Sequence, residues 1–552
     1  MLKLLRLKSI LLVLFFSFIS AFALLHPGLP PTHDGEYHVI RFYEFNKVLR
    51  EGILYPRLAP DLNNGFGVPL FNYVYPLPNY MASLFHLFGA SFIDSFKLNM
   101  FFASLLGSSF FYLWSKRYWG ESGGIVSSVF YSFAPYRFLD IYIRGSVGEV
   151  WAISLFPGLL WAIDKYIEKP GKRYSIYSVL FLSALIFSHN ILGLFFFIFL
   201  ISYLVMKTII NKVNIVGLLK IIILGLALSS PFWLPALIET KYVLGLEVTN
   251  IKDNFPEIYQ LIIPSWGSGF SGLGLKDQMS FQIGMANLLI IFLISIGYFF
   301  WYRKNKLNII LVFFLLWFYL VLFFLTPYSS WFWAHLPLIR YAQFPWRLLS
   351  FEIIIAPFLA GSFFILPFFQ KRIRRIFLFI ALTFVVFVLG IGYAQPAFYH
   401  YRNDQYYLTR SNFIDGTNSI GNQFNTKWLD KIPEKTKNEL TFVQNKGEIR
   451  LLNKNSTSIT FSYKTKEKSI VKTHFSYFPG WIAKVDGKRM SIQNIDGIIG
   501  LSLPKGEHRV ILQYSETFAS KFSYLVFSIS LLVLVSEALN VDIIRKVKHL
   551  KI

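Results

Sequence analysis

The sequence contains no cysteine, few acidic residues and little charge of either sign. With no Cys among 552 residues, disulfides, thiolate metal sites, thiol nucleophiles and covalent haem attachment are excluded. The missing thiols leave the redox compartment open. Charged residues make up 15% of the chain, where a soluble domain carries roughly 25%. Asp and Glu number 30 against 54 Lys and Arg. What is present instead is apolar: 54% hydrophobic residues, 19% aromatics with 60 Phe and 13 Trp, and a mean hydropathy of +0.48. These proportions exclude a disordered chain, a collagen-like fibre and a soluble enzyme of several ordinary domains, and point to a lipid-embedded protein.

The formal net charge of +24 would suggest nucleic acid in a soluble chain. Here the excess sits in short tracts beside apolar runs, such as Lys371 to Arg375, Arg303 to Lys306 and Arg545 to Lys551. These tracts lack the basic faces with interleaved aromatics that nucleic-acid binding uses, so no nucleic-acid partner is expected. A membrane-crossing helix needs roughly 20 mostly apolar residues. About twelve stretches qualify: 9–25, 97–114, 122–138, 150–167, 174–189, 191–207, 216–237, 284–302, 307–325, 348–369, 375–394 and 521–540. With the N-terminus (Lys3, Arg6, Lys8) cytoplasmic, every second junction is basic, as the positive-inside rule requires. Loops 26–96, 138–149, 238–283, 326–347 and 395–520 then face outward, and both termini face the cytoplasm. Tyr75 to Gly89 is apolar but short and opens with Pro76 and Pro78, so it reads as a re-entrant or surface-lying helix. Ala21-Phe22-Ala23 resembles a signal-peptidase site, and with or without cleavage the chain after residue 26 lies outside.

From about 440 the pattern changes to short alternating runs. Ser458 to Tyr463 and Arg509 to Tyr514 alternate polar and apolar residues, and Pro479-Gly480, Asp486-Gly487 and Pro504 to Gly506 mark turns. This predicts an antiparallel β-sandwich of six to eight strands. The expected fold is a polytopic α-helical membrane protein of about twelve transmembrane helices with an extracytoplasmic C-terminal β-sandwich-like domain. Its parts are a transmembrane domain over 1–397 with a large first outer loop at 26–96, an outer connecting loop at 398–439 folded against it, the β domain at 440–515, and a final helix with a basic tail at 516–552.

The first outer loop begins with His33-Asp34-Gly35-Glu36-Tyr37-His38. Asp34 fits a general base at the lipid–water boundary, where partial burial tunes a carboxylate toward the working pH; equally it fits a helix N-cap. Glu36 is the adjacent alternative. His33 and His38 read as polar loop residues, because spacing fixes no third metal ligand. Tyr43 to Leu49 reads as a short amphipathic helix on the membrane. Arginine is disfavoured in short outer loops, so Arg137, Arg144, Arg340 and Arg347 require a reason. Bidentate contact with the phosphate of a lipid-linked substrate supplies one for Arg144 and Arg347; pairing of Arg144 with Glu149 is the plain alternative. Asp140 lies in the same loop. Tyr341, Trp333 and Trp346 are of the type that stacks on sugars or sits at a membrane interface, and Gln343 lies among them. His189, Asn190 and Glu239, at predicted outer span ends, are secondary candidates expected to be solvated.

These words resemble a known group. An acid directly after the first span, a large first outer loop, eleven to thirteen spans and an outer C-terminal domain together resemble the GT-C superfamily of membrane glycosyltransferases. More narrowly, His33 to His38, Tyr55-Pro56-Arg57, Arg144 to Glu149, Ser188-His189-Asn190, Pro231 to Pro235 and Phe344 to Arg347 resemble the bacterial 6-pyruvoyl-tetrahydropterin-synthase-related membrane proteins. Tyr477 to Trp481 and Gly506 to His508 resemble the C-terminal domain of the neighbouring YfhO-like proteins. The pterin label implies no pterin activity, because the ligand set of that soluble zinc enzyme is absent from the sequence. The resemblance implies sugar transfer from a polyprenyl-phosphate-linked donor to a glycan, lipid or protein acceptor on the outer face of a bacterial cytoplasmic membrane, serving the cell envelope. Asp34 and Glu36 would be catalytic, and His38, Arg57, Arg144, Glu149, Tyr341, Gln343, Trp346 and Arg347 would bind substrate. A divalent cation (Mg or Mn) would bridge the first-loop acid to Asp140 or Glu149. The competing readings are a transporter or flippase of lipid-linked glycan, and a non-catalytic scaffold with a binding β-module.

Overall fold

A computed structural model of the chain describes residues 2–245, 251–272, 278–297, 307–409, 422–436 and 438–539. The basic tracts at 303–306 and 545–551 lie outside the described residues. Each of the twelve apolar stretches is helical where described. α1 (Leu2–Ala21) enters the first loop, which carries α2 (Gly35–Arg50) and α3 (Leu77–Leu87). α4 (Phe92–Ser132) covers two expected spans, divided where Gly120 adopts φ +72° beside Lys116, Arg117 and Glu121. α5 (Pro135–Phe138) runs into a π-helical turn at Leu139–Arg144, and α6 (Val147–Glu168) follows. α7 (Lys172–Ser188), α8 (Asn190–Ile210) and the pair α9 (Ile215–Leu228) and α10 (Ser230–Glu239), bent by 67°, complete the first half. Then come α11 (Ile258–Ile262), α12 (Met285–Gly297), α13 (Leu307–Phe324), and the short α14 (Ser330–His335) and α15 (Pro337–Arg340). α16 (Leu349–Ala360), α17 (Arg372–Gly390), α18 (Asp404–Thr409) and α19 (Phe518–Ala538) close the helical list.

Among the described residues, six helices are long and apolar enough to cross a membrane, or eight if each bent pair counts as one span. The sequence suggested about twelve. The shortfall has local causes: α7 has 17 residues, α4 is interrupted by charged residues at its kink, and α12 is described only as far as Gly297. The helices also differ in position. For α6 and for Pro345–Ile365, which contains α16, 94% of the apolar window is buried, against 17% for Arg372–Tyr393 and 28% for α19. A helix apolar all round belongs in a core or in lipid. α6 and α16 are thus the centre of the bundle, and α17 and α19 are its lipid-facing rim.

The first loop is more ordered than its sequence suggested. α2 starts at Gly35, not near Tyr43, and ten of its 16 residues are buried, so it is packed within the protein and does not lie on a membrane surface. The C-terminal module has nine strands, more than the expected six to eight, because short strands flank two tight turns. They are β1 (Leu440–Gln444), β2 (Gly447–Asn455), β3 (Ser458–Thr465), β4 (Ser469–Ser476), β5 (Trp481–Val485), β6 (Lys488–Met490), β7 (Ile492–Ile495), β8 (Ile498–Leu503) and β9 (Gly506–Tyr514). Two antiparallel sheets, ordered β1-β4-β8-β7 and β2-β3-β9-β5-β6, enclose Ile459, Phe461, Val471, Leu501, Val510 and Leu512. Asp486 and Gly487 both take positive φ (+46° and +82°), the backbone a two-residue hairpin between β5 and β6 requires.

The module is fastened to the bundle through the first loop. Leu58 belongs to the module's core, Ser476 N donates to Phe66 O (2.7 Å), and the Phe66 and His474 rings lie 3.9 Å apart. Ser456 bonds the Glu51 carboxylate through both backbone and hydroxyl. The described part of the connecting loop also packs on the bundle: His400 and Leu29 exchange two backbone bonds, and the Asp404 carboxylate accepts from Phe92 N and Ile93 N at the start of α4.

Candidate functional site

Two backbone hydrogen bonds bring distant loops together. His33 N donates to Ile143 O and Asp34 N to Arg144 O, each at 2.9 Å. Glycine makes the approach possible, because a Cβ on Gly145 (φ +65°) would collide with the Thr32 side chain. Asp34 is the residue before α2, yet its carboxylate makes no capping bond and pairs with no cation among the described residues. Helix capping therefore does not account for it. Glu36 lies in the first turn of the same helix.

Beside this junction lies a buried ionic cluster. Arg144 donates both terminal nitrogens to the Glu149 carboxylate (2.7 and 2.7 Å), and also bonds the Asp140 carboxylate and Tyr136 Oη. Arg347 joins from the other side: Nε to Glu149 Oε1 at 2.9 Å, Nη1 to Ala342 O at 2.7 Å and to Gln343 Oε1 at 2.6 Å. Gln343 takes φ +66° to reach it, a strained backbone of the kind that collects at functional sites. Arg347 Nη2 makes no hydrogen bond to the described residues. The Arg144 guanidinium lies 4.8 Å from the Trp346 ring centre, within cation–π range, and Phe344 stacks on Trp346. Burial and the neighbouring Glu149 push the Asp140 carboxyl well up. Two guanidiniums thus meet two acids, Glu149 shared by both and Asp140 held by Arg144.

His189 is buried at this cluster, although a span-end histidine was expected to be solvated. Its Nδ1 accepts from Leu192 N (3.1 Å), capping α8, which leaves its proton on Nε2, 3.9 Å from Glu149 Oε1. Tyr75 is the meeting point of these groups. A Cβ on Gly148 would strike its ring, and the His189 ring lies 5.1 Å away. Burial raises its phenol pKa, Asp34 and Glu149 raise it further, and Arg41 and Arg144 oppose them. His38, 2% exposed, packs on Phe96 with Nε2 unbonded. Burial, with Arg41 and His189 adding, lowers its pKa well below the usual histidine value and keeps it neutral. His33 stacks on Phe270 and bonds Ser268 O through Nε2, and feels both Asp34 and Arg144.

Not every candidate is part of this group. Arg57 and Glu239 form a second network at the junction with α19. Arg57 bonds Asn72 Oδ1, Pro231 O and Tyr524 Oη, while Glu239 accepts from Asn72 and Thr517. Glu239, 1% exposed, is buried where solvation was expected, because the final helix folds back over it. Arg137 lies against the Tyr131 ring at 4.6 Å, Asn190 is exposed with its Oδ1 accepting from Ile191 N, and Tyr341 is 53% exposed. Arg340 braces the turn before the site through Trp333 O and Ala334 O. Tyr75, Arg41 and Tyr136 had not been singled out from the sequence. Their signal was Tyr75 beside two prolines and Tyr136 one residue from Arg137, neither of which specifies chemistry alone.

The divalent-cation expectation does not fit these residues. Glu149 is held by two guanidiniums and Asp140 by one, and among the described residues no three His, Asp or Glu side chains gather as ligands.

A family model described as 6-pyruvoyl-tetrahydropterin synthase related domain, membrane protein, matches residues 71–395, more than half of the chain. The chain belongs to this membrane protein family. Residues 422–525, the β module with its flanks, match a second model, bacterial membrane protein YfhO. An uncharacterised protein of Lactococcus lactis subsp. cremoris is 22% identical over 243 residues, which is 42% of this chain and 39% of that protein. Among solved structures, the apo oligosaccharyltransferase of Archaeoglobus fulgidus aligns with a TM-score of 0.43 at 11% identity, covering 75% of this chain and 60% of that one. The Arg144–Glu149–Arg347 cluster falls within the family match.

Proposed function

We propose that this family member is a membrane glycosyltransferase that moves a sugar from a polyprenyl-phosphate-linked donor to a hydroxyl acceptor. The observation that carries the reading is the 33–34 to 143–144 backbone pairing, which joins the unpaired Asp34 carboxylate to a cluster of two guanidiniums. Asp34 takes the acceptor's proton as its oxygen attacks the anomeric carbon. The bond from that carbon to the phosphate oxygen breaks, and the phosphate leaves with the electron pair. Arg347, through its free Nη2, and Arg144 stabilise the departing charge, as preorganised donors do for developing anions. Glu149 and His189 hold the two guanidiniums in place, and neutral His38 and Tyr75 wall the pocket. Attack from the side opposite the phosphate inverts the anomeric centre.

The site lies at the end of the bundle that carries the β module, and the positive-inside pattern assigns that end to the outer face of a bacterial cytoplasmic membrane. Having no native cysteine makes this easy to test. A Lys505→Cys variant, on the exposed Pro504–Gly506 turn, should react with a membrane-impermeant maleimide in intact cells; protection until the cells are opened would reverse the topology. For the chemistry, purified protein in vesicles is given radiolabelled polyprenyl-phosphate sugars and a hydroxyl acceptor. Transfer by the wild type, absent in Asp34→Asn at equal expression, is the expected result. Equal transfer by the variant would remove Asp34 from the reaction, and no consumption of any such donor by the wild type would remove the reaction itself.

A further inference from the structure

A cavity of about 110 Å³ opens between the start of α12, the end of α17 and the Phe133–Pro135 turn. A single water needs roughly 10–15 Å³ of such space, so the cavity exceeds a water site. Glycines draw its walls together: a Cβ on Gly284 (φ +98°) would press on Pro135, and one on Gly390 would press on Phe133 O. It lies at the same end of the bundle as Asp34, since the segment leading into α12 holds His33 through Ser268. Its ionic content is nil, because no charged side chain lines it.

Two amides give the cavity its chemistry. Asn287, 3% exposed, donates Nδ2 to Ile283 O at 3.0 Å, which fixes the amide's orientation and leaves Oδ1 buried with no partner. Gln282, also 3% exposed, donates Nε2 to Ser265 O at 2.6 Å, leaving its Oε1 as a second acceptor. A buried acceptor without a donor is costly, so the Asn287 carbonyl calls for an O–H from an occupant. The remaining walls are apolar, and the mouth lies between Met285 of α12 and Leu389 of α17, 47% and 48% exposed, beside the least buried of the long helices. We infer that this cavity binds a neutral, hydroxyl-bearing lipid of the acylglycerol class, which enters from the bilayer and donates its hydroxyl to Asn287. The inference is independent of sugar transfer.

Native mass spectrometry of the full chain with three probes tests it: 1,2-dioleoylglycerol, its 3-O-methyl ether, and dioleoyl phosphatidic acid. Dioleoylglycerol should be retained, and the ether, which lacks the donor, should bind about tenfold more weakly, the size of one lost hydrogen bond. Asn287→Leu should lose the same factor toward dioleoylglycerol. Met285→Trp, at the half-exposed mouth, should block binding without touching the amides, which guards against a folding defect in the first variant. Equal binding of alcohol and ether, or undiminished binding by both variants, would mean a hydrated cavity with ordinary boundary lipid and overturn the site. Preference for phosphatidic acid would overturn its neutral chemistry.

Discussion

The two ends of α6 carry the same kind of residue in opposite circumstances. Glu149 and Asp164 are both fully buried acids, about 22 Å apart along the helix at 1.5 Å per residue. Asp164 is closed on every side: Lys207 at 2.9 Å, Tyr203 at 2.8 and 2.9 Å, Tyr118 at 2.5 Å and Arg117 at 3.9 Å, all from bundle helices. Glu149 is also saturated, but its cluster is not. Arg347 keeps a free nitrogen, and Asp140 Oδ2, His38 Nε2 and Trp346 Nε1 are buried without partners. The lesson is that a buried ion pair alone does not mark a site. A network whose acid is closed by helix-borne partners, with Arg117 Nε left over, is a clamp, and one with several unpartnered groups around its acid has capacity for a ligand.

Three substitutions separate the two ends, and a fourth tests the burial of α2. The largest effect is expected from Asp34→Asn, a loss of about 10²–10⁴ in transfer rate, with the thermal unfolding midpoint unmoved. Next, Asp164→Ala strands Lys207 and Arg117 and should cost about 3–5 kcal/mol of stability, seen as a large fall in Tm. Transfer per folded molecule should be unchanged, and a loss there would give the Asp164 end a functional role. Arg347→Lys keeps the charge but not the planar fork, and should weaken binding of a polyprenyl phosphate about tenfold by vesicle titration.

The smallest effect concerns Glu44 in α2. Burial, then the repulsion of Asp61, pushes its carboxyl up to about 8. A carboxyl whose folded pKa is raised favours the folded state fully below its unfolded value of about 4.3, and that contribution is lost as pH rises toward 8. Tm should therefore decline between pH 5 and 8, and Glu44→Gln should flatten the slope; an unchanged slope would assign the decline elsewhere.

Much of this architecture was legible. Hydropathy located the long apolar helices because crossing lipid demands unbroken apolar length, and alternation located the sandwich because a half-buried strand has period two. The site was legible only as parts. Asp34 and Arg144 are 110 positions apart, and nothing in either neighbourhood announces the backbone bonds that join them. Arg57 resembled Arg144 in sequence, yet it packs against Tyr524 of the final helix, a contact spacing cannot reveal. His189 and Glu239 looked like solvated span ends because a sequence does not show which chain segment folds back over them. Glu44 looked like the polar side of a surface helix until burial of α2 gave it a different role.

The most direct measurement maps where a photoactivatable polyprenyl phosphate crosslinks to the protein in vesicles. The account predicts adducts in the peptides around residues 33–38, 143–149 and 342–347, displaced by unlabelled polyprenyl phosphate. Adducts confined to the Asp164 end, or spread evenly over the lipid-facing helices without competition, would contradict it.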